Sequence, residues 1–126
     1  MKLHDRNLRI LGHIISYCGQ IEETVRRFGD AYDIFAADPI YRNAAALCIL
    51  QIGELVGNLS DDFRGQHSAI PWRQIKAMRN IVAHHYGSVD AATTWEVIQG
   101  DIPELKSYCI RILDDAAQEE IPSSLV

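Results

Sequence analysis

Residues 79–86, which read Arg-Asn-Ile-Val-Ala-His-His-Tyr, combine side chains that could act on a phosphodiester. An arginine presents a permanently charged, forked donor to a phosphate, and a histidine can accept or donate a proton near neutral pH. Cutting RNA without a metal requires activation of the 2′-hydroxyl, protonation of the leaving oxygen and stabilisation of a charged phosphorane. One or two histidines and an arginine could fill these roles.

The same segment also has a purely structural interpretation. Arg79 could be a solvated cation, His84 and His85 could cap a helix end, and Tyr86 could pack against the core. On a straight helix with 100° per residue, His84 lies about 140° around the axis from Arg79. A shared site would therefore require either a break in the helix near Ala83 or a second chain.

Composition and charge restrict the class of protein. The chain has 126 residues, of which 48% are hydrophobic and 23% are charged, and its net charge is −5. This length predicts a single domain over residues 1–120 with a C-terminal tail at 121–126. The negative charge disfavours a protein that coats duplex nucleic acid, but it permits a confined basic site that grips one or two phosphates. The longest mainly apolar run, residues 44–52, is too short to span a membrane, and early charges disfavour a signal peptide.

The three cysteines predict reduced, buried thiols in a cytoplasmic protein. They are odd in number, far apart in the sequence and surrounded by apolar residues, which does not suit a disulfide framework. The histidines outside residues 79–86 show no paired ligand spacing. We therefore expect neither a metal nor another cofactor. The cysteines are Cys18, Cys48 and Cys109.

Apolar residues recur at steps of three and four along most of the chain, which predicts helices. No segment alternates with period two for long enough to suggest a strand. The expected fold is an all-α antiparallel bundle of four to five main helices, with a loop at residues 60–69. Helices are predicted over residues 8–28 with a stop at Gly29, over 31–37, over 39–59 behind an Asp38 cap, over 72–82, over 90–100 with an end at Gly100, and from a cap at Asp101 to about 116.

The segment 78–86 resembles the Arg-x4-His-x-Tyr signature of HepT-like toxins, which belong to the HEPN superfamily of helical ribonucleases. The segment Gln51-Ile52-Gly53-Glu54 is similar to the Gly-Glu stretch of that family, and the resemblance covers roughly residues 1–118. The other similar flanks are Ile-Pro-Trp at 70–72, Val-Asp at 89–90, Trp-Glu-Val-Ile at 95–98 and Ile-Pro-Glu-Leu at 102–105.

The resemblance implies a homodimeric, HEPN-like toxin of a type II toxin–antitoxin system that cleaves RNA without a metal. Arg79 and His84 of both chains would line a cleft at the two-fold interface. The implied partner is an MNT-type nucleotidyltransferase antitoxin that adds AMP to Tyr86. Such an adduct would place an anionic phosphate beside Arg79 and His84, where it would compete with the phosphate of the RNA. The His-x-Tyr spacing favours His84 over His85 as the catalytic histidine.

Glu54 is a candidate supporting residue. It shares one side of the predicted 39–59 helix with Asn43, Leu47 and Asn58, which follow one another at helical spacing. A carboxylate on this line could orient a histidine or pair with Arg79 across the cleft. A satisfied ion pair in a dimer interface is the alternative.

The remaining candidates leave two other kinds of function open. Asn80 could hydrogen-bond the substrate or cap a helix, and Trp72 and Trp95 are interpreted as core or interface anchors. The chain could instead be a non-catalytic helical subunit that binds nucleotide or substrate for a nucleotidyltransferase, or a dimeric scaffold. The presence of the Arg-His-Tyr triplet favours the toxin, because a docking subunit does not need it.

Overall fold

A computed structural model describes residues 2–84 and 91–119, and all regular secondary structure in these ranges is helical. The all-α prediction is therefore confirmed. The elements are α1 Lys2–Phe28, α2 Tyr32–Ala37, α3 Pro39–Gly57, α4 Asp61–Gln66, α5 Trp72–His84, α6 Ala91–Glu96, a π-helical turn Val97–Asp101, and α7 Ile102–Glu119.

Helix α3 lies at the centre of the bundle. It packs most extensively against α5 on one side and α1 on the other, and α1 also packs along α7. Burial of apolar side chains between these helices is the main stabilising contribution. Fully buried residues include Leu11 and Ile14 of α1, Ile52 and Val56 of α3, and Ile102 of α7.

The helix boundaries at residues 28–39 form as predicted. Gly29 has a φ of 124°, a conformation that glycine adopts without steric cost, and its amide donates to the Val25 carbonyl at 2.8 Å. The Asp38 carboxylate caps α3 by accepting from the amides of Ile40 at 2.9 Å and Tyr41 at 3.3 Å. These local signals fix where α1 ends and where α3 begins.

The predicted loop at residues 60–69 is wrong, because residues 61–66 form helix α4. The Ser60 hydroxyl caps this helix by accepting from the Phe63 amide at 3.2 Å. Buried Asn7 of α1 donates to the same hydroxyl at 3.0 Å and accepts from the Ser60 amide at 3.2 Å. Phe63 is buried, so one apolar residue anchors a segment whose polar composition conceals its helicity.

The predicted helix end at Gly100 and the new cap at Asp101 are also wrong. The chain stays helical from Ala91 to Glu119, through the π-helical turn. Buried Val97 and Ile98 hold this turn in the core. Pro103 follows the turn and has no amide hydrogen to donate to the hydrogen bonds of a regular α-helix. A local π-helical turn is one way in which a helix continues past such an irregularity.

The two tryptophans pack within the chain. Trp72 is buried, and its indole N–H donates to the His67 carbonyl at 3.0 Å. Trp95 is half-buried, and its ring lies 5.2 Å from Phe35 and 6.3 Å from Tyr41 between centroids. The sequence had predicted that both tryptophans anchor the core or an interface, and the structure confirms that they pack in the core.

The prediction of reduced, buried cysteines is also confirmed. Cys18, Cys48 and Cys109 are free and buried. Burial raises the pKa of Cys18 and of Cys109 to about 12, so both thiols stay protonated at neutral pH. Because the thiolate is the reactive form, these residues serve as packing groups.

No helix in the described ranges is long and apolar enough to cross a membrane. The single-domain assignment of residues 1–120 stays a prediction, and the tail at 121–126 lies outside the described residues.

Candidate active site

Arg79 lies on α5 at the contact between α5 and α3. Its Nη2 atom forms an ion pair with Oε1 of Glu54 on α3, and its Nε atom is buried. The arginine side chain is 35% exposed and the glutamate side chain 46%. The pairing that the sequence left open for Glu54 is thus present within one chain.

The Arg79–Glu54 pair orients the guanidinium more than it stabilises the fold. Partly exposed ion pairs contribute roughly 0 to 1 kcal/mol, because water screens both charges and two long side chains lose freedom. An arginine fork held from one side can still present donors to a phosphate in a defined direction. The pair therefore gives Arg79 a preferred orientation at the surface of the bundle.

Gly53 allows α5 to approach α3 at Arg79. An ideal Cβ placed on Gly53 would lie 2.2 Å from Cβ of Arg79, 2.8 Å from its Cγ and 3.4 Å from its Cα. Any larger residue would push the base of the arginine side chain away from α3. The consecutive residues Gly53 and Glu54 thus act on the same arginine, one by leaving space and the other by pairing with it.

The role of Gly53 is missing from the sequence-based interpretation, in which the Gly-Glu pair enters only as a family similarity. A glycine inside an otherwise apolar helix lowers helix propensity by about 1 kcal/mol relative to alanine. Such a residue indicates a close backbone approach. This signal could have identified Gly53, although it could not have identified Arg79 as the neighbour.

The other predicted site residues are only partly covered by the described residues. His84 is the last residue of α5, and Asn80 follows Arg79 on the same helix; the backbone of both is described, but their side chains are not. His85 and Tyr86 lie outside the described residues. Because α5 runs without a break from Arg79 to His84, the separation of about 140° around one helix axis applies.

The residues that the sequence placed on one side of α3 together with Glu54 are exposed. Asn43, Leu47, Glu54 and Asn58 all lie at the surface, and Leu47 is 59% exposed. The face of α3 that carries Glu54 thus also presents a large apolar side chain to solvent.

Within residues 2–84 and 91–119, no group of three or more His, Cys, Asp or Glu residues is placed to hold a metal ion. Arg79 supplies positive charge at the site itself. A guanidinium with a preferred orientation is a group that can bind a phosphate.

Comparison with known proteins identifies the family. A model described as Ribonuclease HepT-like matches residues 14–112. A protein of Caldanaerobacter subterraneus, provisionally named as an RNase, is 37% identical over 103 residues, which are 82% of this chain and 90% of that protein. A probable ribonuclease HepT of Thermococcus cleftensis is 35% identical over 86 residues, which are 68% of this chain and 76% of that protein.

A longer relative contains a similar region. A Methanocaldococcus jannaschii protein, named as a gamma-glutamylcyclotransferase and provisionally as an RNase, is 34% identical over 105 residues. These residues are 83% of this chain and 46% of that protein. No solved structure matches the chain. The family model spans most of the helical bundle, including Gly53, Glu54, Arg79 and His84, and the chain belongs to the ribonuclease HepT-like family.

Proposed function

We propose that this chain is a metal-independent endoribonuclease that acts as the toxin of a type II toxin–antitoxin system. The observation that carries the proposal is the placement of Arg79 by Gly53 and Glu54 in a chain of a ribonuclease family. Arg79 would bind the scissile phosphate, and His84 would transfer protons.

The proposed reaction uses the 2′-hydroxyl of the RNA as the nucleophile. The 2′-oxygen forms a bond to the adjacent phosphorus while the bond from phosphorus to the 5′-oxygen breaks. The proton of the 2′-hydroxyl passes to a base, and an acid protonates the departing 5′-oxygen. The products are a 2′,3′-cyclic phosphate and a 5′-hydroxyl. Arg79 would stabilise the charge that develops on the phosphorane.

We propose that the active form is a homodimer with a site at its two-fold interface. Arg79 and His84 are separated by about 140° around the axis of α5, so a second chain would bring an arginine and a histidine to one phosphate. The α3 face with exposed Leu47 and Glu54 supports this arrangement, because its apolar side chain would be buried by a symmetric contact. Two copies of His84 could then serve as base and acid.

Three further residues would support catalysis. Glu54 would act as a positioning residue for the Arg79 guanidinium. Asn80 and His85, which adjoin Arg79 and His84 in the sequence, are candidates for hydrogen bonds to the substrate.

The direct test is incubation of the purified protein with RNA in the presence of a metal chelator. We expect fragments with cyclic phosphate ends. The His84→Ala variant should cleave about 100- to 10,000-fold more slowly, the typical contribution of a positioned acid or base. The His13→Ala variant, which removes an exposed histidine of α1, is the matched control and should stay within about threefold of wild type. Equal rates in all three proteins, or no cleavage by wild type, would reject the proposal and favour a non-catalytic subunit of a nucleotidyltransferase.

We further propose that the cognate MNT-type antitoxin controls the site by adding AMP to Tyr86. The tyrosine hydroxyl oxygen would form a bond to the α-phosphorus of ATP, and pyrophosphate would leave. The new phosphate would be anionic and would compete with RNA for Arg79.

Mass spectrometry after incubation with the antitoxin and ATP measures this modification. We expect the mass to increase by one AMP group and RNA cleavage to be lost. The Tyr86→Phe variant should gain no mass and should keep its cleavage activity in the presence of antitoxin and ATP. A full mass increase in Tyr86→Phe would place the modification on another residue.

A further inference from the structure

Helix α5 concentrates positive charge in a chain that is negative overall. It carries Arg73, Lys76 and Arg79 and contains no aspartate or glutamate, whereas the whole chain has a net charge of −5. A local excess of cations along one helix is typical of a surface that follows a nucleic-acid backbone.

Lys76 also lies near α3, although it is the end of its side chain, and not the base, that approaches the helix. An ideal Cβ on Gly57 would lie 3.6 Å from Cε of Lys76 and 3.9 Å from its Nζ. Gly57 is one helical turn beyond Gly53, which contacts Arg79. Lys76 and Arg79 therefore lie across two successive turns of α3, on one side of the helix pair.

The two cations differ in their acidic neighbours. Arg79 pairs with Glu54, whereas Lys76 has no carboxylate within ion-pair distance among residues 2–84 and 91–119. Lys76 is exposed, so its ammonium group remains accessible to an anion from solution. A lysine binds phosphate as a compact point charge on a flexible stem.

We propose that Lys76 binds the RNA phosphate next to the one held by Arg79, so that α5 contacts two neighbouring phosphates of one strand. Residues three apart on a helix have Cβ atoms about 5 to 6 Å apart. The flexible lysine stem lets its ammonium group adjust to the spacing between neighbouring phosphates of one strand. This subsite rests on the proposed ribonuclease function.

Binding of a 2′-O-methyl RNA oligonucleotide, which cannot supply the nucleophilic hydroxyl, tests the subsite independently of cleavage. The Lys76→Gln variant should bind this RNA roughly three- to tenfold more weakly at low salt, and the slope of log K against log salt should decrease by about 0.7. With cleavable RNA, KM should rise while kcat stays within about twofold, because the contact is made in the ground state and the transition state alike.

Lys106→Gln is the matched control, because it removes the same charge from α7, where Lys106 pairs with Glu22 at 2.8 Å. General electrostatic attraction would weaken binding equally in both variants, and that result would overturn the subsite. Cleavage by wild type together with unchanged RNA affinity in Lys76→Gln would overturn the subsite but would leave the proposed ribonuclease function standing. Binding that depends on Lys76 without any cleavage would keep the subsite and reject the nuclease, whereas absence of RNA binding by wild type would overturn both.

Discussion

Replacing Arg79 by alanine is expected to lower the rate constant of RNA cleavage about 100- to 1,000-fold, the usual effect of losing one donor to a developing oxyanion. Glu54 pairs with the guanidinium and Gly53 leaves room for the base of the side chain, so we expect little reorganisation of Arg79 as charge develops. The measurement is the single-turnover rate constant at saturating protein. Arg79→Lys should recover only part of the rate, because lysine lacks the planar fork.

Arg73→Ala is the control for this prediction. Arg73 is an exposed arginine of the same helix, six residues before Arg79 and about 120° away around the axis. Its replacement should change the rate constant by less than about threefold. Loss of the Arg79 partner leaves Glu54 unpaired, but 46% of its side chain is exposed, so water can solvate the carboxylate. Equal rates for Arg79→Ala and Arg73→Ala would reject the role of Arg79 in phosphate binding.

Replacing Gly53 by alanine is expected to destabilise the fold by about 1 to 3 kcal/mol, the usual cost of overpacking. The added Cβ would lie 2.2 Å from Cβ of Arg79, an atom fixed to the α5 backbone, so the two helices must separate. The gain of about 1 kcal/mol in helix propensity offsets only part of this cost. Because the shift also moves Arg79 away from Glu54, cleavage should slow together with the loss of stability.

Gly57→Ala is the matched control on the same helix. The nearest atoms to its added Cβ belong to the flexible end of Lys76, at 3.6 and 3.9 Å, which is ordinary van der Waals contact. We expect its free energy of unfolding, measured in urea, to be unchanged or up to about 1 kcal/mol higher than that of wild type, because alanine favours the helix. A similar loss of stability in both variants would show that the tight approach at Gly53 is not the cause.

Much of the fold could be predicted from local signals. The three- and four-residue periodicity predicted the long helices, while Gly29 and the Asp38 cap predicted the boundaries between α1 and α3. Both errors occurred where tertiary contacts override local composition. Ser60 is held by Asn7, which lies 53 positions away in the sequence, and Gly100 lies in a turn that buried neighbours keep helical. Neither influence is visible in a short window of residues.

The candidate site, like the fold, could be predicted only in part from the sequence. The residue types at 79–86 are compatible with phosphate chemistry but leave a structural interpretation open, and helical spacing placed Glu54 on a line with Asn58. The distances at Gly53 and Gly57 depend on how closely α3 and α5 approach, which residue types alone do not specify. The roles of His84, His85 and Tyr86 stay predictions, with support from the family resemblance and the chemistry of their side chains.

Cleavage of an RNA that carries a single 2′-deoxynucleotide at its cut site tests the central claim most directly. If the 2′-hydroxyl is the nucleophile, wild-type protein in a metal chelator will cut the all-ribose RNA to a 2′,3′-cyclic phosphate and a 5′-hydroxyl. It will leave the phosphodiester after the deoxynucleotide intact. Cleavage of both RNAs at equal rates at that position, or absence of cleavage in either, would contradict the account.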